Sequence, residues 1–260
     1  MVISKFKKVF WKLFIAIDAR LKLPALKKGG LGIQAGFDMS APITSDLFLM
    51  QKKVTNTGLV IGIDPDPENN RIAKEIISKK KLNIQLIQKA LFSEKGHAEF
   101  YFGEKAGWNQ LGNIPIDSTV SLKKEKTIVE LDTLDEILKQ YNMDIQKIDH
   151  INLTINGAEY PALKGMHDVL SRSENLALTI IAGRYDESGI INGRHDHELI
   201  IELLKLYGFK IKFRRMQNFF WWGFVVNVLI HRKWIYNKKN YGVIMAVKGN
   251  ARLRWYQSFS

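Results

Sequence analysis

The 260-residue sequence contains no cysteine. This absence excludes disulfide bonds, thiolate zinc sites and cysteine nucleophiles, and it fits a reducing compartment such as the cytoplasm. Proline is scarce, with 6 residues, while 46% of the chain is apolar, so the composition favours one folded globular domain over a disordered chain. No apolar run reaches about 18 residues, the length that a helix needs to cross a bilayer.

Acidic residues are missing from the last part of the chain. Glu202 is the final acid, and residues 203–260 carry twelve Lys and Arg. Residues 1–28 carry eight Lys and Arg against Asp18 alone, a balance of +7. Because the whole chain has a net charge of +13, these two ends leave −6 for residues 29–202. The sequence therefore joins an acidic body to two basic ends.

The first basic end, residues 1–28, has the pattern of a basic amphipathic helix followed by a linker from Pro24. Lys5, Lys8 and Lys12 lie on one face of this helix. The opposite face is apolar and comprises Val2, Phe6, Val9, Phe10, Leu13, Phe14, Ile17 and Leu21. Such a helix suits the plane of an anionic membrane surface, and the alternative is that it packs on the domain's own surface. We predict no signal peptide, because Lys12 interrupts the apolar stretch and no small-x-small cleavage site follows.

The second basic end contains an aromatic insertion, residues 216–240, between the last two predicted strands. Its core has the run Phe-Phe-Trp-Trp, and the basic residues that bracket it are Arg214, Arg215, Arg232 and Lys233. An aromatic segment between cations is typical of one that dips into a membrane interface. The alternatives are a contact with a partner subunit and a large insertion into the core. With the first helix, it predicts a two-point anchor to an anionic membrane surface or a membrane protein complex.

Strand and helix patterns alternate through residues 29–260, which predicts one α/β domain. The predicted strands are residues 31–36, 58–63, 84–88, 148–155, 176–182, 209–213 and 243–247. The predicted helices are residues 67–80, 134–141, 160–170 and 198–207. Residues 97–102 and 127–131 alternate like an exposed antiparallel pair at one edge. This order calls for a doubly wound sheet that ends in an antiparallel hairpin.

Two of these strands end in residues that indicate a ligand site. The first strand opens into a turn at Gly36, where small residues let the backbone approach a ligand closely. The second strand is followed by Asp64, whose carboxylate projects from the same edge of the sheet. An acid in this position, one βαβ unit after a glycine turn, typically accepts hydrogen bonds from ribose hydroxyls. The pattern predicts a nucleoside site, and the alternative is a strand-to-helix connection with no ligand.

Six motifs follow one another along the chain, at residues 33–40, 63–69, 90–100, 131–134, 157–165 and 203–209. Their order resembles the FkbM-type S-adenosylmethionine-dependent methyltransferases over roughly residues 31–213. The resemblance implies a class I methyltransferase (Rossmann-like) fold, an α/β architecture with a doubly wound seven-stranded sheet whose last strand is antiparallel. It also implies a cofactor that lies across the carboxyl ends of the first half of the sheet.

The resemblance assigns parts of S-adenosylmethionine to particular residues. Gly36 and the adjacent backbone would border the methionine part, Asp64 would hold the ribose hydroxyls, and residues 88–90 would flank the adenine. The implied cofactor-binding residues are Gln34, Ala35, Gly36, Asp38, Ser40, Asp64, Pro65, Gln88, Lys89 and Ala90.

The chain also departs from the family's pattern. The family usually has an acid where Gln34 and Thr154 stand. It usually has a second glycine at Ser40 and a glutamate at Asn156. Several carboxylates that could position the cofactor's ammonium, bind a metal or act as a base are therefore missing, while Glu159 remains.

Methyl transfer from a sulfonium needs an aligned nucleophile, exclusion of water, and a base if the acceptor is a hydroxyl. The catalytic candidates near the ends of the fourth and fifth strands are Thr154, Asn156, Glu159, Tyr185 and His195, with Asp186 and His197 nearby. Residues 194–198 hold two imidazoles and two carboxylates, which could indicate a metal. Their spacing matches no recognised site, so we predict no metal and expect Asp196 to cap the following helix. Trp108 either roofs the cofactor or covers the edge hairpin.

The predicted function is S-adenosylmethionine-dependent O-methylation of a lipid, glycan or small-molecule acceptor by a cytoplasmic, peripheral membrane protein. A rival prediction is a methyltransferase-like subunit that has lost turnover and docks on a membrane complex. A third is a nucleic-acid methyltransferase, which the basic ends favour. No Asn/Asp-Pro-Pro-aromatic motif follows the fourth strand, so nucleic acid is the less favoured partner.

Overall fold

The computed structural model describes residues 23, 25–42, 45–104, 107–114, 120–182, 190–191, 193–215 and 241–251. The amphipathic helix predicted within residues 1–28 and the aromatic insertion, residues 216–240, fall on positions outside these ranges. Tyr185 and Asp186 also lie outside the described residues. Within the described ranges, no helix has the length and apolar character needed to cross a membrane.

Strands in the described residues form three sheets. They are β1 (Leu31–Ala35), β2 (Leu59–Ile63), β3 (Ile84–Ile87), β4 (Ala90–Leu91), β5 (Gly96–Gly103), β6 (Gln110–Leu111), β7 (Leu122–Asp132), β8 (Ile148–Leu153), β9 (Leu176–Ala182), β10 (Ile190–Ile191), β11 (Arg194–His195), β12 (Lys210–Arg215) and β13 (Gly242–Lys248). The central sheet has seven strands in the order β12-β13-β9-β8-β1-β2-β3.

Helices pack on both faces of the central sheet. They are α1 (Asp46–Val54), α2 (Pro67–Lys80), α3 (Leu134–Gln140), α4 (Glu159–Lys164), α5 (His167–Arg172) and α6 (Asp196–Leu206), with a 3₁₀ turn at Ile145–Lys147. Leucines of α3 to α6 pack with Ile33 and Ile151 in one core. Leu47 and Met50 of α1 pack with Val60 in a second core. Because successive strand residues point to opposite faces, one sheet supplies both cores, and the predicted doubly wound architecture is confirmed.

The carboxyl ends of three neighbouring strands are in register. β1 pairs in parallel with β2 and with β8, and Ala35 lies opposite both Ile63 and Leu153. Parallel strands that end level place the turns that follow them side by side at one edge of the sheet. The turns after β1, β2 and β8 therefore form a common surface.

The predicted antiparallel pairs are both present. β12 and β13 form the C-terminal hairpin, and β13 runs antiparallel to β9. β5 pairs antiparallel with β7, with His97 opposite Glu130. This second pair belongs to a separate four-stranded sheet in the order β4-β7-β5-β6, which has its own apolar core around Phe100 and Val129. The sequence predicted the pairing but placed it at the edge of the central sheet.

Two predicted helices differ from the structure by more than a single residue. Residues 160–170 do not form one helix, because α4 ends at Lys164 and α5 begins at His167. A Cβ at Gly165 would lie 2.2 Å from the Phe92 carbonyl oxygen, so the backbone must stay bare there and the chain bends. Asp196 is the first residue of α6 and not its cap, since His195 holds the N-cap position with extended backbone angles.

Candidate cofactor site

The turn after β1 fits between β2 and β8 because its first residue is glycine. The Gly36 backbone N–H donates to the Ile63 carbonyl at 2.9 Å. Gly36 has a φ of 74°, in the left-handed region that favours glycine. A Cβ at this position would lie 2.3 Å from the Thr154 carbonyl oxygen. Any other residue would push this turn away from the sheet edge.

Asp64 lies at the end of β2, beside the same turn. Its Oδ2 accepts a hydrogen bond from the Phe37 N–H at 2.8 Å, and its Oδ1 accepts one from the Asp66 N–H at 2.8 Å. The residue is 6% exposed. Burial raises the pKa of Asp64 to about 7, although both N–H donors favour the charged form. The structure thus brings Asp64 and Gly36 together as predicted, and the role of Asp64 in ribose binding stays a prediction.

The residues after Asp64 tie two turns together. Pro65 leads to Asp66, which caps α2 by accepting from the Glu68 N–H at 2.8 Å. The Asn69 side-chain oxygen accepts from the Met39 N–H at 3.1 Å, which fixes the turn after β1 against the start of α2. Sequence reasoning missed Asn69, because its partner lies 30 residues away.

Gln34 and Thr154 are neutral members of a hydrogen-bond network beneath the turn, which reaches the Asp46 carboxylate through Asn152 Nδ2 at 3.2 Å. The fully buried Gln34 donates through Nε2 to the Gly36 carbonyl at 2.6 Å and to Thr154 Oγ1 at 3.0 Å. Its Oε1 accepts from Asn152 Nδ2 at 2.7 Å. The Thr154 hydroxyl donates to the Gly36 carbonyl at 2.9 Å. Both positions usually hold acids in the family that the motifs resemble, and here they interact as an amide and a hydroxyl.

Asn156 follows β8 and contacts the loop between β5 and β6. It adopts a φ of 54°, a left-handed conformation that Asn tolerates better than most residues. Its Nδ2 donates to the Gly107 carbonyl at 2.9 Å and to the Asn109 carbonyl at 2.8 Å. Trp108, between these two residues, is half-buried. The loop therefore reaches the same edge as the turns after β1 and β2.

Asp38 and Ser40 shape the far side of the turn after β1. Asp38 Oδ1 accepts from the Ser40 N–H at 2.7 Å. A Cβ at Gly107 would lie 3.0 Å from Asp38 Oδ2, so the loop passes close to this carboxylate. Asp38 thereby joins the residues gathered at the edge.

Glu159 is the first residue of α4 and is 3% exposed. Its two oxygens accept from the Ile155 N–H at 2.9 Å and from the Gly157 N–H at 2.7 Å. Burial, with the nearby negative charge of Asp196, raises the pKa of Glu159 to about 7. The carboxylate thus holds the turn after β8 in shape, which is a positioning contact.

The predicted adenine segment, residues 88–90, contains an ion pair. Gln88 is exposed, and Ala90 is buried at the start of β4. Lys89 Nζ lies 2.8 Å from an oxygen of the fully buried Asp132 and 2.6 Å from one of Glu130. The charge of Lys89 is therefore engaged in joining the central sheet to the smaller sheet.

His195 holds the N-cap position of α6. Its ring stacks on His197 with centroids 5.6 Å apart, and His197 stacks on Phe213 at 4.9 Å. Among the residues that the structure describes, no group of three or more His, Asp or Glu side chains could hold a metal ion. Tyr185, the other aromatic candidate, lies outside the described residues.

The strand order, the antiparallel last strand and the turn with its adjacent acid define a class I methyltransferase. The sequence model of the methyltransferase FkbM domain matches residues 34–211, which is more than half of the chain. The chain belongs to this family, and the resemblance stated from its motifs is confirmed.

Solved structures of other methyltransferases are similar to this chain. An rRNA methylase from Streptococcus thermophilus is 13% identical, with a TM-score of 0.45, and the match covers 91% of this chain and 96% of that one. Fibrillarin from Aeropyrum pernix, with natively bound S-adenosyl-L-methionine, is 12% identical, with a TM-score of 0.45 and coverage of 90% and 74%. A SAM-dependent methyltransferase from Aquifex aeolicus is 16% identical, with a TM-score of 0.40 and coverage of 85% and 83%. No curated protein sequence matches the chain significantly.

Proposed function

We propose that this methyltransferase uses S-adenosylmethionine to methylate an oxygen of a lipid, glycan or small-molecule acceptor at a membrane surface. Its membership of the FkbM family and its fold supply the reaction class. The cofactor supplies an electrophilic methyl group on a sulfonium. The chain's own part is to bind and orient this group and to exclude water around it.

The contact between Asp64 and the turn after β1 carries the proposal. The Phe37 N–H holds one carboxylate oxygen at 2.8 Å, directly beside Gly36. Each carboxylate oxygen has two lone pairs, so a group that already accepts one N–H bond can also accept from a ribose hydroxyl. The bare backbone at Gly36 lets the turn after β1 lie against the Thr154 carbonyl at the end of β8, which keeps this turn beside Asp64. These residues fit a nucleoside with vicinal hydroxyls.

Three of the predicted catalytic residues use their side-chain polar atoms on backbone groups. Thr154 donates to the Gly36 carbonyl, Asn156 donates to the loop, and Glu159 accepts two N–H bonds. These contacts support positioning roles for all three. His195 and Tyr185 stay as the predicted candidates for a base.

Titration calorimetry with S-adenosylmethionine tests the proposed cofactor. We expect one saturable binding event, and a loss of affinity of about tenfold or more in Asp64→Asn, because a charge-assisted acceptor is removed. The exposed Asp168→Asn is the matched control and should bind like the wild type. An absence of saturable heat from the wild-type protein would refute the proposed enzyme.

Membrane attachment is the second part of the proposal. It is supported by the +7 balance of residues 1–28 and by the aromatic insertion with its flanking basic residues. Sedimentation with vesicles of phosphatidylglycerol and phosphatidylcholine should pull down the protein, whereas pure phosphatidylcholine should bind less. The triple variant Lys5→Glu, Lys8→Glu, Lys12→Glu should lose most of this difference. Equal sedimentation with both vesicle types would argue against an anionic surface as the partner.

One observation favours a second function. The neutral Gln34–Thr154 pair and the amide of Asn156 stand where the family usually has acids. A site with fewer carboxylates is expected of a methyltransferase-like subunit that has lost turnover and docks on a membrane complex. The calorimetry separates the two, since only the enzyme should bind the cofactor. A steep salt dependence of RNA binding, without vesicle binding, would favour the nucleic-acid alternative.

A further inference from the structure

Residues 107–109, the part of the loop that leads directly into β6, cross the carboxyl ends of three adjacent strands. At one end Asn156, after β8, donates to the carbonyls of Gly107 and Asn109 at 2.9 and 2.8 Å. At the other end Asn109 Nδ2 donates to Asp66 Oδ2, after β2, at 2.7 Å. Between them the loop passes close to Asp38, after β1. Since β1 lies between β8 and β2, the loop spans the edge that carries Gly36 and Asp64.

The loop thus forms a bridge across the edge, and an asparagine amide holds each end of it. No other type of side chain replaces these amides well. Asn109 uses both of its amide atoms, because its Oδ1 accepts from the Gly103 N–H at 3.0 Å while its Nδ2 binds Asp66. Asn156 offers two protons to two carbonyls from a left-handed backbone. An aspartate at either position would replace the donating amide nitrogen with a carboxylate oxygen. This oxygen would face other acceptor oxygens, and no hydrogen bond could form. The bridge therefore depends on two specific side chains from elements far apart in sequence.

We infer that Asn109 and Asn156 are positioning residues that clamp residues 107–109 across the cofactor edge, so that bound S-adenosylmethionine leaves only after a clamp breaks. This inference rests on the proposed function, because it assigns the loop to the same cofactor. Asp66 takes part twice, as the cap of α2 and as the acceptor of the clamp. The clamp thereby links the turn that presents Asp64 to the turn after β8.

The test compares release of radiolabelled S-adenosylmethionine from the full-length wild type and three variants. Asn156→Gly keeps the left-handed backbone and removes the amide, whereas Asn109→Asp keeps the shape and repels Asp66. The control Asn142→Gly removes an exposed asparagine that also has a positive φ, of 52°, and lies outside the loop. We expect dissociation about tenfold faster in each clamp variant, a smaller change in association, and wild-type rates in the control.

Hydrogen exchange of the free protein gives a readout that needs no cofactor. Amides of residues 107–112 should exchange faster in both clamp variants, while amides of β8 and β9 keep their protection. If the wild type binds the cofactor and the clamp variants release it at the wild-type rate, the inference is overturned and the proposed function stands. If the wild type binds no cofactor, the proposed function fails first, and this inference fails with it.

Discussion

Gln34 Nε2 lies 3.0 Å from Thr154 Oγ1, so two residues 120 positions apart share a hydrogen bond beneath the turn after β1. Two carboxylates at this separation in a buried place would repel each other, and one would take up a proton. Because the amide of Gln34 and the hydroxyl of Thr154 are uncharged, neither this repulsion nor the uptake of a proton arises. The amide and the hydroxyl also place two neutral groups directly below the turn, whereas Asp64 supplies a carboxylate beside it.

The Thr154 hydroxyl should contribute to stability through this network. Thr154→Val keeps the shape but leaves the Gly36 carbonyl and Gln34 Nε2 each without one partner. We expect a loss of about 1–2 kcal/mol in the free energy of unfolding, measured by urea denaturation. Thr154→Ser retains the hydroxyl and should lose less. Equal losses in the two variants would show that the methyl group and not the hydrogen bond matters.

Cofactor affinity should depend on pH through Asp64. Its pKa is about 7 in the folded protein, so the carboxylate is largely protonated below that pH. A ribose hydroxyl binds better to the charged form, and affinity should therefore rise from pH 6 to pH 8. Calorimetry at each pH measures this change. Asp64→Asn should flatten the profile, whereas Glu159→Gln should preserve it, and the reverse result would assign the titration to Glu159.

Glu159 should make stability fall as pH rises. Burial raises the pKa of Glu159 to about 7 in the folded protein, from its ordinary value of 4.5, so between these values the folded state binds one more proton than the unfolded state. The contribution of this extra proton to the free energy of unfolding is fully present below pH 4.5. It is lost as the pH rises through 7, and the free energy of unfolding then falls by up to about 3 kcal/mol. Glu159→Gln should reduce the slope of urea denaturation free energies between pH 4.5 and pH 8, and the part that remains is expected from Asp64, whose pKa is also raised to about 7. An unchanged slope would mean that the folded pKa of Glu159 is ordinary.

His150 gives a slope of the opposite sign. It is fully buried on β8, and within the described residues its ring nitrogens have no hydrogen-bond partner. Burial lowers the pKa of His150 from 6.5 to about 3, so between these values the unfolded state binds more protons than the folded state. The free energy of unfolding therefore decreases as the pH is lowered below 6.5. His150→Leu should therefore be more stable than the wild type at pH 5, by about 2 kcal/mol. The exposed His97→Leu is the control and should leave the pH dependence unchanged.

The sequence was sufficient for features that depend on local pattern. The buried strands 31–36 and 58–63 are apolar runs that end in Gly36 and Asp64, and their ends lie together because parallel strands share one edge. The helix Pro67–Lys80 was predicted to the residue from its amphipathic pattern. In the structure Asp66 caps its start, and Lys81 ends it in a left-handed conformation.

Contacts between distant loops could not be predicted. Asn156 meets the carbonyl of Asn109, 47 residues earlier, because the small sheet folds over the edge of the central one. No periodicity or spacing in the sequence predicts this contact between Asn156 and Asn109. Lys89 was assigned to the adenine by resemblance, and its pairing with Asp132 depends on a contact across 43 residues. The sequence signal for such partners is a polar residue in a turn where no helix begins for it to cap, as at Asn109.

The break between α4 and α5 provides the last prediction. The apolar spacing of residues 160–170 continues through Gly165, so sequence alone favours an unbroken helix, whereas the structure brings the Phe92 carbonyl to the place of a side chain. Gly165→Ala should therefore lose about 1–3 kcal/mol in the free energy of unfolding, although alanine is the better helix former. Gly96→Ala is the control, because a Cβ there meets nothing within 4 Å. Urea denaturation of both variants measures the difference, and a stabilised Gly165→Ala protein would show that the helix is continuous and the contact with Phe92 is absent.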